Sequence, residues 1–222
     1  MTVRLDIVPE TGSTSADLLA RLAAGEAAQE GQWLVADRQS AGRGRQGRSW
    51  LDGPGNFMGS TAVRVLPQDP APASLSFVAA LAVYEAVLAH VATPQALQLK
   101  WPNDVLLGGA KLAGILLERA GDAAVIGIGV NLAWSPELAG RATGHLKTIG
   151  PAPGRDAFAR ELAAAFDREL DRWRQFGHEP SAPWTASGAG TFDGLESDGA
   201  LRLRLADGSA RVIHAGDVTL EN

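Results

Sequence analysis

Residues 40–50 have a composition that neither a helix nor a strand tolerates. The segment, here called the arginine loop, reads Ser-Ala-Gly-Arg-Gly-Arg-Gln-Gly-Arg-Ser-Trp and contains no acid. Glycine costs conformational entropy in both regular structures, and clustered cations without acids repel one another on an ordinary surface. Arginine presents a planar, permanently charged fork that suits carboxylate and phosphate. The pattern therefore predicts a mobile loop that binds an anion.

Composition places the chain among ordinary globular proteins. It has 222 residues, of which 45% are hydrophobic and 20% charged, and its formal net charge is −5. This length is enough for one ordinary domain and a small second one. The acidic balance disfavours general binding to nucleic acid, so the arginine loop is a local positive site that suits a small anionic ligand.

Residue usage excludes or disfavours several classes of site. The chain has no cysteine, which excludes disulfides, cysteine-based zinc sites and a thiol nucleophile. Its histidines match no metal-ligand spacing, and they are His90, His145, His178 and His214. The first residues show no signal-peptide pattern, and the most apolar run, 77–88, contains Glu85 and is too short to span a bilayer. We therefore expect a cytoplasmic protein with no membrane partner.

Strand and helix patterns alternate along residues 3–176. Alternating apolar residues predict strands, and apolar residues at three- and four-residue steps predict helices. The predicted strands cover 3–8, 33–36, 57–66, 97–100, 105–107, 111–118 and 123–132. The predicted helices begin after Ser13–Thr14, at Leu75 and at Asp156, and they end at Gly25, near Val91 and at Phe176. The helix from Asp156 is amphipathic, as expected of a helix that covers a sheet, and the helix from Leu75 is apolar on most faces, which predicts that it is buried.

A change of composition at residues 177–190 predicts a domain boundary. This stretch is rich in Pro, Ser, Ala and Gly, and short strand patterns follow it at 191–192, 200–206, 210–214 and 218–220. Asp-Gly dipeptides, which favour hairpin turns, join two of these strand pairs. We predict a main domain at 1–180 and a small antiparallel β domain at 187–222.

Two further polar clusters accompany the arginine loop. Ser13 and Thr14 suit helix capping, and hydroxyls at a helix start also bind polar or anionic groups, so both roles stay open. Lys-Trp-Pro-Asn-Asp at 100–104 places an amide beside a carboxylate, and Lys111 follows across a predicted hairpin turn. Either lysine alone is an ordinary surface residue, but with the arginine loop they predict one anionic site.

The glycines of the arginine loop have the spacing of a dinucleotide fingerprint, Gly42-x-Gly44-x-x-Gly47. That motif requires a helix directly after the glycines and an acid about twenty residues further on. Here Arg-Ser-Trp and a Gly/Pro turn follow instead, and the chain has no Walker-type phosphate loop. The fingerprint is therefore rejected, and the arginines are the informative part of the loop.

Four motifs in this order resemble those of the biotin protein ligases. They are Gly-Arg-Gly-Arg-Gln-Gly-Arg-Ser-Trp at 42–50, Lys-Trp-Pro-Asn-Asp at 100–104, Lys-Leu-Ala-Gly-Ile-Leu-Leu-Glu at 111–118 and Gly-Ile-Gly-Val-Asn-Leu at 127–132. The resemblance runs from Ser13 to the C-terminal strands. It implies an α+β fold, in which helices flank the mixed sheet of a class II synthetase-like catalytic domain, with a small C-terminal SH3-like β-barrel.

The resemblance also implies an activity, that of biotin–[acetyl-CoA-carboxylase] ligase. The biotin carboxylate would attack the α-phosphate of MgATP to give biotinyl-5′-AMP and pyrophosphate. A lysine amine of a biotin carboxyl carrier domain, part of a biotin-dependent carboxylase, would then displace AMP. Biotin, ATP and Mg²⁺ are thus the implied ligands. Fixed cations stabilise charge on the phosphate oxygens, and we expect the arginine loop to be poorly ordered alone and to close over biotin and the adenylate.

Residue roles follow from the same resemblance. Ser13, Thr14 and Ser15 would hold the ureido ring of biotin and neighbouring groups, and Gln39 would make a further contact with biotin. Lys111 would bridge the biotin carboxylate and the α-phosphate. The implied catalytic residues are Lys111, Arg45, Arg43 and Asp104, of which Asp104 would also orient or deprotonate the incoming amine. The implied ligand-binding residues are Ser13, Thr14, Ser15, Gln39, Gly42, Arg43, Gly44, Arg45, Arg48, Trp50, Asn103, Asp104, Lys111, Gly114, Gly129 and Asn131. Gly114 and Gly129 would let the backbone approach biotin, and no residue is assigned as a metal ligand.

The chain departs from the family pattern in a few places. Gln46 stands where other members have an arginine, and residues 142–146 are a loose version of the family's Ala-Thr-Ser-Leu. Trp134 is the candidate for stacking on adenine. Because the catalytic motifs begin almost at once, we expect a short monofunctional form without the DNA-binding domain of bifunctional members, and no DNA partner. The fold allows a homodimer through sheet edges, but nothing in the sequence selects one.

Three other readings compete with a biotin ligase. A lipoate or octanoate ligase or transferase shares the fold superfamily but lacks the Gly-Arg-Gly-Arg sequence. A biotin-responsive DNA-binding repressor is disfavoured by the net charge and by the missing DNA-binding domain. A biotin-binding module without catalysis is disfavoured by the presence of Lys111 and the arginine loop.

Overall fold

A mixed eight-stranded sheet positions the other elements. The computed structural model describes residues 3–177, 184–185, 187–188, 190–196 and 200–213. The strands of this large sheet are Arg4–Thr11 (β1), Gln32–Gln39 (β2), Phe57–Arg64 (β3), Leu97–Lys100 (β4), Asp104–Leu107 (β5), Ala110–Ala120 (β6), Ala123–Val130 (β7) and Trp184–Thr185 (β8). They lie in the order β1-β2-β3-β7-β6-β5-β4-β8, with the β1–β2 and β4–β8 pairs parallel and the others antiparallel.

The described residues contribute three α-helices beside the sheet, and they are Thr14–Ala23 (α1), Leu75–Leu88 (α2) and Arg155–Phe176 (α3). Helix α3 packs on the sheet through aromatic rings. Trp33 meets Phe166 edge-on at 5.5 Å between ring centroids, and Phe57 meets Phe158 at 5.8 Å. Helix α2 packs against α3 and is buried on most of its surface, which explains why it is apolar on nearly every side.

Helix α1 lies on the opposite face of the large sheet. Successive strand residues point to opposite faces. On β3, Phe57 packs against α3, whereas Ser60, three residues later, hydrogen-bonds to Thr14 and Ser15 of α1. The sheet therefore has an apolar face under α2 and α3 and a face toward α1 that carries polar groups.

Element boundaries differ from the sequence prediction mainly at β1 and α2. Strand β1 continues to Thr11, because Glu10 and Thr11 pair in parallel with Arg38 and Gln39 of β2. Pro9 is tolerated there because β1 is an edge strand, whose outer N–H groups have no ladder partner. Helix α2 ends at Leu88 rather than near Val91.

The C-terminal strands form a separate antiparallel sheet. Its strands are Ser187–Gly188 (β9), Gly190–Leu195 (β10), Leu201–Arg204 (β11) and Ala210–Ile213 (β12), in the order β12-β11-β10-β9. Leu201 and Leu203 are buried, as their alternation with arginines predicts. The predicted strand at 218–220, together with His178 and His214, lies outside the described residues. In the part of the chain that the structure describes, no helix is long and apolar enough to cross a membrane.

Candidate active site

A cavity of about 350 Å³ opens on the α1 face of the large sheet. Its walls come from the start of α1, the arginine loop, strands β3, β5, β6 and β7, and the segment that follows β7. It lies within the volume range of ordinary small-molecule sites. The predicted ligand-binding residues that line it are Ser13, Thr14, Ser15, Gln39, Arg43, Gly44, Arg45, Arg48, Trp50, Asn103, Asp104, Lys111, Gly114, Gly129 and Asn131.

One end of the cavity carries buried, uncharged hydrogen-bonding groups. The Thr14 backbone N–H donates to Gln39 Oε1 at 2.8 Å, and the Thr14 hydroxyl donates to the same oxygen at 3.1 Å. The Thr14 and Ser15 hydroxyls lie 2.7 and 3.0 Å from the Ser60 hydroxyl. Ser13 also caps α1 through its side chain. The start of α1 therefore caps the helix and also lines the cavity, so its role in ligand binding stays a prediction.

Ser60 and Gly127 belong to this polar end but were not among the predicted site residues. Ser60 on β3 pairs with Gly127 on β7, and both line the cavity. A Cβ atom at Gly127 would overlap the Ser15 hydroxyl. Glycine at this position therefore makes room for a hydroxyl group of α1. The glycine within an apolar strand was the available signal, because such a glycine often marks a close approach; for Ser60 the sequence offered no comparable signal.

The other end of the cavity is cationic. Side chains of Lys111, Arg43, Arg45, Arg48 and Arg141 line it, and Asp104 is the one acid among the described lining residues. Lys111 Nζ lies 2.6 Å from Asp104 Oδ1, and both side chains are largely buried. Burial lowers the pKa of the Lys111 ammonium from its ordinary value, and the Asp104 carboxylate opposes that shift. This end is built for a ligand with concentrated negative charge.

The arginine loop is folded into a small hairpin rather than an irregular coil. Arg43 forms a β-bridge with Ser49, and the backbone N–H of Trp50 donates to the Gly42 carbonyl at 2.9 Å. A 3₁₀ turn at Arg45–Gly47 closes the hairpin. Gln46 and Gly47 have positive φ angles of 57° and 72°, the left-handed region that glycine adopts easily. The glycines thus allow a tight turn that brings three arginines to the cavity.

Side chains of the hairpin reach the sheet at separate points. Arg45 donates to Asn103 Oδ1 at 3.1 Å, and Arg43 Nη1 lies 3.7 Å from Glu118 Oε1 on β6. Arg48 donates to Gln46 within the loop at 2.8 Å. Asn103 therefore holds Arg45 over the cavity, and Glu118 lies close to Arg43.

Trp50 fills space above two of the predicted glycines. Its indole lies against Gly114 of β6 and Gly129 of β7, where a Cβ atom at Gly129 would overlap the ring. Lys111 Nζ lies 5.8 Å from the centre of the Trp50 ring, within reach of a cation–π contact. Gly42 does not line the cavity, and a Cβ there would crowd the Trp50 carbonyl. The lack of a side chain at Gly42, Gly114 and Gly129 therefore makes room for Trp50.

The sequence profile described as the Biotin/lipoate A/B protein ligase family matches residues 12–131, more than half of the chain. The chain belongs to this ligase family. A second profile, the biotin protein ligase C terminal domain, matches residues 189–220.

Named relatives of this ligase-family chain are similar over most of its length. The biotin–[acetyl-CoA-carboxylase] ligase of Paracoccus denitrificans is 37% identical, and the alignment covers 96% of this chain and 98% of that protein. The enzyme of the same name from Mycobacterium tuberculosis is 41% identical over 82% of this chain and 70% of its own length. The Aquifex aeolicus biotin protein ligase in complex with biotin and ATP superposes with a TM-score of 0.80 at 26% identity, covering 97% of both chains. These similarities confirm the predicted family and the α+β fold class.

Asn131 and Trp134 have surroundings that the sequence did not indicate. The Asn131 amide is buried and donates to the backbone carbonyls of Gly144 at 3.1 Å and Lys111 at 3.5 Å, so it holds the backbone at Lys111. Trp134, the candidate for adenine stacking, packs against Gly53 and does not line the cavity. Within the described residues, no cluster of three His, Asp or Glu side chains is placed to hold a metal ion.

Proposed function

We propose that this member of the ligase family is an ATP-dependent biotin protein ligase, which forms biotinyl-5′-AMP and transfers biotin to a lysine of a biotin carboxyl carrier domain. The observation that carries the proposal is the two-ended cavity, with buried neutral hydrogen-bonding groups at one end and a cationic cluster at the other. Biotin has the same two ends, a neutral ureido ring and a carboxylate. The names of the relatives at 37% and 41% identity support the same activity.

In the first half-reaction, the polar end would orient biotin and the cationic end would stabilise charge. Thr14, Ser15 and Gln39 would hydrogen-bond the ureido ring, and Ser60 would hold the two hydroxyls in place. Lys111 would lie between the biotin carboxylate and the α-phosphate of ATP. A fixed cation in a water-poor site stabilises the charge that develops on the phosphate oxygens as pyrophosphate leaves.

The nucleotide would occupy the cationic end beside the arginine hairpin. Arg45, Arg43 and Arg48 supply donors for phosphate oxygens, and Asn103 would hold Arg45 in position. The magnesium ion enters as part of the MgATP substrate. Asn131 would act by supporting the Lys111 backbone rather than by direct contact with the phosphates.

In the second half-reaction, the carrier lysine would enter where Asp104 lines the cavity. A free lysine amine, with a pKa of about 10.4, is protonated at neutral pH and must lose a proton before it attacks. Asp104 carries the carboxylate placed to orient that amine, and it already holds an ammonium group, that of Lys111, at 2.6 Å. The closed hairpin would keep water from the reactive anhydride until the carrier arrives.

A lipoate or octanoate substrate fits the same fold but not this polar end. The acyl tails of those substrates have no ureido group, so they would leave the buried hydroxyls and amide of Thr14, Ser15 and Gln39 without ligand partners. These groups are already paired with one another and with Ser60, but an apolar tail would remove them from water without offering a hydrogen bond in return, whereas the ureido ring offers both donors and an acceptor. Biotin is therefore the favoured substrate.

One assay separates these activities. The protein is incubated with MgATP, a biotin carboxyl carrier domain and either biotin or lipoate, and the carrier is examined by intact-mass measurement. We expect a mass increase with biotin alone. Modification by lipoate but not by biotin would establish the alternative, and no modification of a competent carrier in the presence of biotin would refute the biotin ligase assignment.

Several broader expectations remain proposals. We propose a main domain at 1–180 and a C-terminal domain at 187–222; this is supported by the separate four-stranded sheet and by the match at 189–220. We also propose a cytoplasmic protein with no DNA partner. The exposed edge strand β1 is the place where a homodimer would pair sheets.

A further inference from the structure

Glu118 is an acidic residue that faces the arginine loop from beneath. It lies near the end of β6, and its carboxylate is partly exposed, at 29% of the side-chain surface. Residues two apart in a strand share a face, so Glu118 is on the same face as Gly114 and Leu116, which both line the cavity. Glu118 itself does not line it, so any effect on the ligand must pass through another residue.

The two oxygens of this carboxylate differ in their surroundings. Oε1 lies 3.7 Å from Arg43 Nη1, which is an ion pair but longer than a hydrogen bond. Oε2 is buried, and no described residue donates a hydrogen bond to it. A buried carboxylate oxygen without a donor is costly. One arginine fork satisfies both oxygens of a carboxylate when the two groups approach face to face.

We propose that Glu118 is a positioning residue that receives Arg43 when the arginine loop closes over its ligand, turning one long ion pair into a two-pronged hydrogen-bonded one. The inference rests on the proposed ligase function. Arg43 is bridged through its backbone to Ser49 on the other arm of the hairpin. Drawing Arg43 toward β6 therefore moves both arms of the hairpin and narrows the mouth of the cavity.

The Arg43–Glu118 contact complements a second contact between the arginine loop and the rest of the domain. Arg45 is already hydrogen-bonded to Asn103 at 3.1 Å, whereas the Arg43 contact is incomplete. The incomplete contact is the one that closure can strengthen. Glu118 thus favours the closed loop and slows escape of the adenylate, without touching either substrate.

The test compares Glu118→Gln with Asp122→Asn, measuring dissociation of pre-formed biotinyl-5′-AMP from the protein. Asp122 forms an ion pair of similar length, 3.5 Å to Arg64, at the β6–β7 turn and away from the cavity. Both changes remove one negative charge and keep the side-chain size. We expect Glu118→Gln to speed release about five-fold, the effect of one partly exposed ion pair, and Asp122→Asn to leave it unchanged.

Repeating the measurement in an Arg43→Gln protein shows whether Glu118 acts by positioning Arg43 or through a general effect on the structure. If Glu118 acts through Arg43, the Glu118→Gln change has no further effect on adenylate release in an Arg43→Gln protein. Equal acceleration in both backgrounds, or unchanged release in the single variant, would overturn the proposal. Trypsin cleavage at the loop arginines, with biotin alone, gives a readout independent of catalysis: biotin should protect the loop less in Glu118→Gln than in the unmodified protein. Failure of the unmodified protein to form adenylate would instead count against the ligase function.

Discussion

The ion pair between Lys111 and Asp104 ties the chemistry of the site to the stability of the fold. Lys111 Nζ and Asp104 Oδ1 are 2.6 Å apart, and the two side chains are only 16% and 12% exposed. Lys111→Ala removes the cation proposed to bridge the biotin carboxylate and the α-phosphate. It also leaves a largely buried carboxylate without its charged partner, so the variant changes two properties at once.

The expected sizes of the two effects differ. Stranding the Asp104 carboxylate should lower the free energy of unfolding by about 2–3 kcal/mol. For a chain of this length that corresponds to about 5–10 °C in the unfolding midpoint. Loss of a fixed donor to a developing oxyanion typically lowers the rate by about 10²–10³-fold. The catalytic loss should therefore persist well below the new midpoint.

Biotin-dependent exchange of pyrophosphate into ATP measures the first half-reaction alone. We expect Lys111→Ala to lose this exchange at a temperature at which circular dichroism shows it folded. The double variant Lys111→Ala/Asp104→Asn removes the stranded charge and should regain stability without regaining exchange. Exchange within about ten-fold of the unmodified protein in Lys111→Ala, which is less than 1.4 kcal/mol of barrier, would refute the assigned role. Recovery of exchange in the double variant would show that Lys111→Ala lost exchange because its fold was destabilised.

Three further changes test other parts of the site. Asp104→Asn removes the carboxylate that opposes the lowering of the Lys111 pKa by burial, so the pKa of Lys111 should fall further. Pyrophosphate exchange should then be lost at a lower alkaline pH than in the unmodified protein. Loss of exchange at the same or a higher pH would contradict this. Ser60→Ala breaks the hydroxyl contacts with Thr14 and Ser15. It should raise the KM for biotin about ten-fold and leave the KM for ATP unchanged. Equal changes in the two KM values would argue against a biotin-specific role. Gly129→Ala forces Trp50 from its place on the sheet and should weaken biotin binding by calorimetry, and unaltered affinity would show that this packing does not matter.

Most of the fold was predictable because local pattern and tertiary environment agree. The alternation in 97–100 and the apolar run across a glycine turn at 111–118 predict strands, and both segments lie within strands. The spacing of Phe158, Phe166 and Trp173 predicts the buried face of α3, and all three are buried. The prediction of β1 stopped short because Pro9 and Thr11 favour a turn locally. Parallel pairing with β2 overrides that preference, since an edge strand tolerates proline.

The site was predictable where residue type alone restricts the chemistry. Arginines among glycines, and a lysine across a hairpin turn from Asn103 and Asp104, indicate an anionic ligand wherever they lie in space. Ser60 could not be found in this way, because a serine on a strand is ordinary until the pairing with Gly127 places it against α1. Trp134 remains a prediction as the residue that stacks on adenine, and in the structure its ring packs against Gly53.

The arginine loop follows β2 directly, so one continuous segment runs from the polar end of the cavity to its cationic end. Strand β2 ends at Gln39, which belongs to the polar end, and the hairpin then carries Arg43 and Arg45 toward Glu118 and Asn103 on the far side of the cavity. A ligand that occupies only one end contacts one part of this segment. In the proposed reaction, biotinyl-5′-AMP would span both ends and would thus engage the whole segment from Gln39 to Trp50. The intermediate should therefore be held more tightly than either substrate, because its two contacts share a single cost of ordering the loop.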